Sequence, residues 1–472
     1  MSALLVVGLA GWVASCARDS VAPPPNVLLV TFDTLRADWV HAYGFAGENT
    51  PSLDALAARG VLFENAIAAA SLTAPAHASI MTGRYARQHS VGTLNGESRL
   101  EGLETLAEQF REAGYDTAAF VSNVVLRRRI GLDRGFDVYD DDLMAGEENR
   151  PAYFERPAQL TVERALGWLA GRSPDRPFFL WLHLQDPHGP YTPPAEFEGR
   201  VGDVSLRLKA DLPVLSKNSG QAGIPSYQAL SELRDPAVYA GRYAEEIMYA
   251  DFWLGRLVGR FEARSTSRGA IILMTADHGE SMGEQGFFFQ HGQSIRPEMA
   301  RVPLIVVAPG VSPKRTSALA SHVDIVPTLL DLARLPSLPG ASGISLVSSF
   351  GEGDGPSDRF VFSDTEGEAG LYGPGRLTRL IGTPLSNRSG RVPGPLRSET
   401  LVQNADGAWR PGSLDESAVE RLSEYVSRAA EQVPVGVMEP EHIEQLRALG
   451  YLDPDDHEAG APAAPESPAQ TP

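Results

Sequence analysis

Short, continuously apolar runs separated by helical patterns are the feature that most constrains the fold of this chain. The run Asn26-Val-Leu-Leu-Val-Thr-Phe32 is apolar and β-branched, which is typical of a strand buried on both faces of a sheet. Runs of the same character occupy 117–121, 178–182, 270–275 and 304–308. Helical patterns occupy 50–60, 102–113 and 158–170. This alternation predicts an α/β domain with a largely parallel central sheet and helices on both faces.

Three of these predicted strands end in acidic or imidazole residues. Asp33 follows the first strand, Asp277-His278 follow the 270–275 run, and His183 follows the 178–182 run, with His188 shortly after it. Ligands of open α/β sheets bind beyond the carboxyl ends of the strands, so these groups are expected to converge. Carboxylates and imidazoles that converge repel or desolvate one another unless a cation lies between them. The pattern therefore predicts a metal site.

One segment adds a candidate nucleophile. Ser71-Leu-Thr-Ala-Pro-Ala-His-Ala-Ser-Ile-Met-Thr-Gly-Arg84 resembles the sulfatase signature, Cys/Ser-x-Pro-x-Arg followed by Thr-Gly-Arg. The family's nucleophile position falls on Thr73, and its arginine position falls on His77. Sulfatases convert Cys or Ser to the aldehyde formylglycine, whereas the extra methyl of threonine would leave a ketone. The resemblance therefore implies attack by a plain hydroxyl, as in phosphodiesterases and phosphoethanolamine transferases of the wider alkaline-phosphatase superfamily.

Three further stretches carry the same resemblance, which spans about 26–336. Asp33-Thr-Leu-Arg-Ala-Asp38 resembles the first metal-binding stretch, with Thr34 in place of a second Asp. Thr275-Ala-Asp-His-Gly-Glu-Ser-Met-Gly-Glu-Gln285 with Gln290-His-Gly292 resembles the second, especially that of phosphoethanolamine transferases. His183-Leu-Gln-Asp-Pro-His-Gly-Pro-Tyr191 resembles the substrate-binding histidine segment. The resemblance implies an alkaline-phosphatase/sulfatase-like fold with a smaller C-terminal part.

The resemblance also implies a set of site residues. The expected ligands of a divalent ion (Ca, Mg, Mn or Zn) are Asp33, Thr73, Asp277 and His278, and a second ion is possible at His291. The expected substrate-binding residues are His183, Arg84 and Asn123, which stands near the position of the family's lysine.

The residue types supply a mechanism. The stretch 75–81 is predicted to be helical, so Thr73 lies at a helix N-terminus, where N–H groups and the helix dipole favour an anion. The metal would favour the alkoxide of Thr73, which would form a covalent phospho- or sulfo-threonine. His77 lies one helical turn on, where it could bind the anion or shuttle a proton. His188 and His291 are candidates for protonating the leaving group.

The expected enzyme is a metal-dependent sulfatase-like hydrolase of phosphate diesters or related phosphate, phosphonate or sulfate esters. Four sulfatase features are altered, namely formylglycine, the second Asp, the Arg and the Lys, which favours phosphate chemistry over sulfate. A sulfatase acting without formylglycine and a phosphotransferase remain alternatives. Small-molecule, glycan or lipid esters are all candidate substrates. Two other classes of function are alternatives. The Gly-x-Ser-x-Gly pattern around Ser281 is typical of a serine esterase, and the chain could also be a non-catalytic surface lipoprotein.

Charge and cysteine content indicate where the protein acts. The net charge of −19 argues against nucleic acid as a partner. The single cysteine, Cys16, follows an apolar segment, 3–14, that is too short to span a bilayer. Val13-Ala-Ser-Cys16 resembles a bacterial lipobox, although no Lys or Arg precedes it. We expect a lipid anchor at Cys16 that holds the protein at the bacterial cell envelope, facing the periplasm or the exterior.

These patterns predict five parts of the chain. They are a lipoprotein signal peptide (1–16), a Pro-rich tether (17–25), a sulfatase-like catalytic domain (26–345), a smaller C-terminal subdomain (346–452) and a disordered acidic tail (453–472). Residues 202–236 are predicted to form a long loop near the site, and 385–412 a loop-rich region. Helices are predicted at 415–431 and 440–449.

Overall fold

A computed structural model describes residues 23–89, 91, 99–143, 155–201, 204, 210–351, 353, 356, 358–383 and 396–427. The strands in these residues are β1 (Asn26–Phe32), β2 (Val61–Ile67), β3 (Asp116–Phe120), β4 (Val138–Asp140), β5 (Phe178–Leu184), β6 (Ala270–Ala276), β7 (Ser281–Met282), β8 (Phe288–Gln290), β9 (Arg301–Val302), β10 (Leu304–Val307), β11 (Lys314–Ser321), β12 (Val361–Thr365), β13 (Glu368–Gly373), β14 (Arg376–Ile381), β15 (Arg397–Gln403) and β16 (Trp409–Pro411). The α-helices are α1 (Pro51–Ala57), α2 (Thr73–Thr82), α3 (Ala86–His89), α4 (Leu106–Glu112), α5 (Ala158–Ala170), α6 (Pro236–Ser265), α7 (Pro297–Ala300), α8 (Ile325–Leu332) and α9 (Glu416–Ser427).

The large sheet has the order β11-β2-β10-β6-β1-β5-β3-β4, with β9 paired to β2. The five strands from β6 to β4 are parallel, whereas β10 runs antiparallel to both of its neighbours. The predicted, largely parallel sheet is therefore confirmed. Strand β1 lies between β5 and β6, so the carboxyl ends of these three strands meet at one edge.

The strand residues explain this arrangement. All seven residues of β1 are buried, and so are all seven of β5, as continuous apolar runs require in the centre of a covered sheet. Strand β5 extends to Leu184, two residues beyond the predicted run, so His183 lies inside it. Helices α1 and α5 pack against α6, and α2 packs against α4 and α8. These helices cover the sheet.

One predicted helix begins later than its pattern indicated. The prediction placed a helix over 102–113, whereas α4 begins at Leu106. Thr105 is the reason, because its side chain accepts the Glu108 N–H while the Glu108 carboxylate accepts the Thr105 N–H. Gly102, with φ of +68°, lies outside the helix. The capping box, rather than the apolar spacing, fixes this helix start.

The C-terminal part contains a second sheet with the antiparallel order β12-β13-β14-β15-β16. The prediction of a loop-rich region over 385–412 is wrong for part of that range, since β15 and β16 lie in it. Strand β15 (Arg-Ser-Glu-Thr-Leu-Val-Gln) is mostly polar and is stabilised by pairing with β14, which local hydrophobicity does not reveal.

Several predictions fall outside the described residues. They concern the signal peptide, the helix over 440–449 and the tail over 453–472, and the domain boundaries likewise stay predictions. Of the predicted helix over 415–431, the described portion is α9. No helix in the part of the chain that the structure describes is long and apolar enough to cross a bilayer.

Candidate active site

Thr73 is the first residue of α2, and its side chain is fully buried. Leu72 before it is extended, and Gly83 ends the helix in the left-handed region with φ of +67°. The Thr73 hydroxyl oxygen lies 3.3 Å from Nε2 of His278. The first turn of a helix presents backbone N–H groups that have no partner within the helix, and this favours a bound anion. The sequence-predicted nucleophile therefore lies where a tetrahedral anion is stabilised.

Two carboxylates follow adjacent parallel strands and lie side by side. Asp33 follows β1 and Asp277 follows β6, and neither side chain is exposed. One oxygen of Asp277 accepts the N–H groups of Thr34 (3.1 Å) and His278 (2.7 Å). The other oxygen, Oδ2, has no hydrogen-bond partner among the described residues, and the same is true of Oδ1 of Asp33. A buried, unpartnered carboxylate oxygen is costly unless a cation binds it.

The electrostatics of the pair point the same way. Burial raises the pKa of Asp277 well above its usual range, and the neighbouring Asp33 carboxylate raises it further. Burial also opposes ionisation of Asp33, but His188 and His183 hold the pKa of that carboxyl below its usual range. Burial and the nearby His291 lower the pKa of His278 to about 3, which keeps this imidazole in the neutral, ligand form. A cation bound between the two carboxylates would stabilise both of them in the ionised form.

The residues present fit a divalent metal ion. Ligand atoms of Asp33, Asp277 and His278 all lie within 4.8 Å of one another. Two carboxylate oxygens, an imidazole and a nearby hydroxyl form a mixed oxygen–nitrogen donor set that suits several divalent ions. A second group, His77, His183 and Asp277, meets the same distance. It fits less well because His77 already uses both ring nitrogens, with the Thr73 carbonyl (2.8 Å) and the Thr31 hydroxyl (3.0 Å).

The remaining histidines form a group beside the carboxylates. His183 Nε2 lies 3.6 Å from Oδ2 of Asp33. The ring of His291 lies 4.7 Å from that of His278 and 5.0 Å from that of His188, measured between centroids. The Glu280 carboxylate, 3.3 Å from Nδ1 of His291, raises the pKa of that imidazole against the opposing effect of burial. His291 is thus the imidazole of this group that is best placed to carry a proton.

Comparison with known proteins shows the family of this chain. The Sulfatase family model matches residues 25–335. The chain belongs to the sulfatase family. Its curated relatives include an uncharacterized sulfatase, YidJ, of Escherichia coli, which is 26% identical over 360 residues, covering 67% of this chain and 70% of the relative.

Solved structures share the fold of this sulfatase-family chain. One is a protein in complex with its substrate D-glucosamine-2-N,6-O-disulfate, with a TM-score of 0.68 and 18% identity over 87% of this chain and 99% of the other. Another is a phosphonate monoester hydrolase from Silicibacter pomeroyi, with a TM-score of 0.64 and 20% identity over 86% of this chain and 94% of the other. At these identities the likeness concerns the fold, which confirms the predicted alkaline-phosphatase/sulfatase architecture.

Two of the predicted substrate-binding residues take other positions in this sulfatase-family site. Asn123 donates its amide to Asp33 at 2.7 Å, and its oxygen accepts the Val125 N–H at 3.0 Å. It therefore orients a metal-ligand candidate, and direct contact with substrate stays a prediction. Arg84 follows the last turn of α2, about 15 Å along the helix from Thr73. Its guanidinium contacts the Pro339 carbonyl, so the structure does not bring Arg84 to the site.

The serine-esterase alternative has no support in the geometry. Ser281 begins the two-residue strand β7, which pairs with β8 and is followed by a 3-10 turn rather than an α-helix. Its hydroxyl is buried and donates to the Phe287 carbonyl at 3.0 Å. A nucleophile elbow requires an exposed Ser between a strand and a helix.

Some residues of the site were missed in the sequence. Glu280 is fully buried beside His291, although it stands inside the recognised 275–285 stretch. Tyr243 of α6 donates to the Thr34 carbonyl at 2.7 Å, and His322 bonds to the Ala276 carbonyl at 2.9 Å. Asp277 and His278, which precede Glu280 in the same stretch, were a usable signal that Glu280 also belongs to the site. Tyr243 lies on α6, and His322 begins the 3-10 turn after β11; the apolar pattern located neither α6 nor β11.

Proposed function

We propose that the protein is a metal-dependent hydrolase of phosphate diesters or phosphonate monoesters that uses the Thr73 hydroxyl as its nucleophile. The observation that carries this proposal is the position of that hydroxyl, at the N-terminus of α2 and 3.3 Å from Nε2 of His278. The adjacent Asp33 and Asp277 fit a divalent ion. Bound there, the ion would supply positive charge that favours the ionised hydroxyl and offsets charge on the phosphoryl oxygens.

The residues then divide the reaction into two displacements. The Thr73 alkoxide attacks phosphorus, the bond to the leaving oxygen breaks, and protonated His291 gives that oxygen its proton. In the second step neutral His291 takes a proton from water, the resulting hydroxide attacks phosphorus, and Thr73 leaves as the alkoxide. Glu280 favours the protonated form of His291 that the first step needs. The N-terminus of α2 stabilises the anionic phosphoryl group throughout.

Phosphate chemistry is preferred over sulfate because threonine forms no aldehyde hydrate. A sulfated or phosphorylated threonine is released only by a second attack at sulfur or phosphorus, since there is no hemiacetal that could collapse to an aldehyde and expel the sulfate or phosphate. Sulfate-ester hydrolysis is the second candidate, favoured by the sulfatase relatives. Transfer of the phosphoryl group to an alcohol in place of water is a further variant, compatible with the same intermediate.

The test combines a substrate panel with Thr73 variants. Aryl sulfates, phosphate monoesters, phosphate diesters and phosphonate monoesters are assayed with Mg²⁺, Ca²⁺, Mn²⁺ and Zn²⁺, and diesters or phosphonates are expected to turn over fastest. Thr73→Ala should lower kcat by on the order of 10³-fold or more, because the attacking oxygen is lost. Thr73→Ser is the matched control and should keep much of the rate.

Mass spectrometry of the protein during turnover gives an independent readout. Unmodified Thr73 at rest and a phosphorylated Thr73 peptide during turnover are expected. Undiminished activity of Thr73→Ala, or a covalent adduct on Ser79 or Ser281, would reject Thr73 as the nucleophile. Turnover of aryl sulfates alone would select the second candidate.

A further inference from the structure

The second half of α6 carries a stripe of exposed arginines. Arg256, Arg260 and Arg264 are spaced by four residues, and their side chains are exposed. Neighbouring residues spaced in this way lie next to one another on a helix, so the row winds gradually around its surface. Phe252, which is 44% exposed, begins the same row, and Arg268 follows the end of the helix. These five residues are called the basic stripe below.

The basic stripe is locally uncompensated in a chain whose net charge is −19. Glu262 lies between Arg260 and Arg264 in sequence but outside their row, and it pairs with Arg59. Arg264 and Arg268 donate to backbone carbonyls, of Ala170 (2.6 Å) and Pro174 (3.0 Å), which carry no net charge. Among the described residues, no carboxylate forms an ion pair with an arginine of the stripe. The stripe therefore presents positive charge to its surroundings.

An exposed ring, Phe252, and a half-buried ring, Trp253, lie within the same surface. The Arg256 guanidinium carbon is 4.9 Å from the ring centre of Phe252 and 5.1 Å from that of Trp253. Phe252 in turn contacts Phe197, with ring centres 5.9 Å apart. Exposed aromatic rings interleaved with arginines are typical of surfaces that rest at a lipid headgroup layer.

The position of the stripe selects the occupant. Asn26 donates its backbone N–H to the Gly269 carbonyl (3.0 Å) and its amide to the Ser265 hydroxyl (3.1 Å). The end of α6 thus lies at the amino ends of β1 and β6, where the predicted tether of 17–25 joins the domain. The candidate active site lies at the opposite, carboxyl ends of the same strands. A membrane that holds the tether lies near this end, whereas the site that a polyanionic substrate chain must reach lies at the other end.

We propose that the basic stripe docks on the anionic phospholipid surface of the membrane to which the N-terminus is attached. Lipid anchorage at Cys16 is itself a proposal from sequence. The stripe would add electrostatic attraction to the membrane affinity that the anchor supplies.

The test measures binding of the full chain to vesicles of phosphatidylcholine alone and of phosphatidylcholine with phosphatidylglycerol. The wild-type protein is expected to prefer the anionic vesicles, and high salt should abolish the preference. The combined change Arg256→Gln, Arg260→Gln, Arg264→Gln and Arg268→Gln should lower the preference by on the order of 500-fold, since each of the four basic residues contributes about fivefold near such a surface.

A matched variant removes the same charge elsewhere. Its changes are Arg128→Gln, Arg315→Gln, Arg397→Gln and Arg410→Gln, all on exposed side chains of other elements. It should keep the preference for anionic vesicles, and turnover of a soluble substrate should be unchanged in the stripe variant. An equal loss in both variants, or no preference in the wild type, would overturn the proposal.

Two further outcomes separate the proposals from each other. Cys16→Ser should lower binding to neutral vesicles and leave the preference for anionic ones, so failure of the anchor is distinguished from failure of the stripe. Stripe-dependent binding to dextran sulfate without binding to anionic vesicles would overturn the proposal of membrane docking. It would indicate that the stripe binds a polyanionic chain instead.

Discussion

His322 links the segments that hold the nucleophile and a metal-ligand candidate. Its Nδ1 accepts the Ala69 N–H at 3.3 Å, four residues before Thr73, and its Nε2 donates to the carbonyl of Ala276, which precedes Asp277. This pattern requires the neutral ring. Burial favours the neutral form and lowers the pKa of His322 from its usual 6.5 to about 4.

The pH dependence of stability follows from that shift. The unfolded chain takes up a proton at His322 below about pH 6.5, while the folded protein does not do so until about pH 4. This histidine therefore stabilises the fold fully above pH 6.5 and loses about 3 kcal/mol as the pH falls to 4. His322→Gln keeps one donor and one acceptor but does not titrate. Urea unfolding at pH 7.5 and pH 5 should show a smaller decrease for this variant than for the wild type, and equal decreases would contradict the argument.

At the scale of elements, the C-terminal sheet clamps two segments of the site. Asp364 of β12 exchanges backbone hydrogen bonds with Ala69 (3.0 Å) and Ser71 (3.1 Å), just before the nucleophile. Glu368 of β13 accepts the Ser294 hydroxyl at 2.9 Å and the Ile295 N–H at 3.3 Å, just after His291. Arg379 donates to both oxygens of Glu368 at 2.8 Å. The sheet therefore holds the segments that precede Thr73 and follow His291.

Glu368→Gln tests the clamp. It leaves Arg379 with a buried, partly unpaired charge and weakens the hold on 294–295, so we expect kcat to fall about tenfold with metal content unchanged. Glu399→Gln is the control, because Glu399 binds the side chains of Arg379 and Arg296 but not the backbone of that segment. The control should lose stability while keeping kcat. Steady-state kinetics with metal analysis decide, and an equal loss of kcat in both variants would reject the clamp.

Strands and helices that their own hydrophobic pattern specifies were predictable from the sequence. Strands that form only because they pair with a neighbouring strand were not. Strand β1 and helix α5 match their predicted bounds because an unbroken apolar run and an amphipathic period each specify one structure. Strand β11 (Lys-Arg-Thr-Ser-Ala-Leu-Ala-Ser) lacks such a run and is held by its parallel pairing with β2. The site followed the same rule. Asp33, Asp277 and His278 could be placed together because each follows the end of a predicted strand. Arg84 was placed at the site because it belongs to the same motif as Thr73, but helix α2 separates the two residues in space.

At the scale of the whole molecule, the buried pair of Asp33 and Asp277 couples metal binding to the free energy of unfolding. Both side chains are fully buried, and burial together with the Asp33 charge raises the pKa of Asp277. The metal-free protein therefore bears an unfavourable interaction that a cation removes. A divalent ion at about 100 times its Kd would add about 2.7 kcal/mol of stability, which corresponds to a rise in Tm of roughly 3 °C in a chain of this length.

Asp277→Asn should make the order of the variant and wild-type Tm values depend on whether metal is present. Without metal the variant has one buried carboxylate instead of two, so its Tm with excess chelator should equal or exceed that of the wild type. With excess Mn²⁺ or Ca²⁺ the order should invert, because the variant has lost a charged oxygen ligand and binds the ion weakly. Thermal unfolding of both proteins in chelator and in metal, alongside metal analysis, makes the comparison. A wild-type Tm that does not respond to chelator or to added ion would remove the metal from this site, and a variant that gains as much from metal as the wild type would move the ligand role from Asp277 to another group.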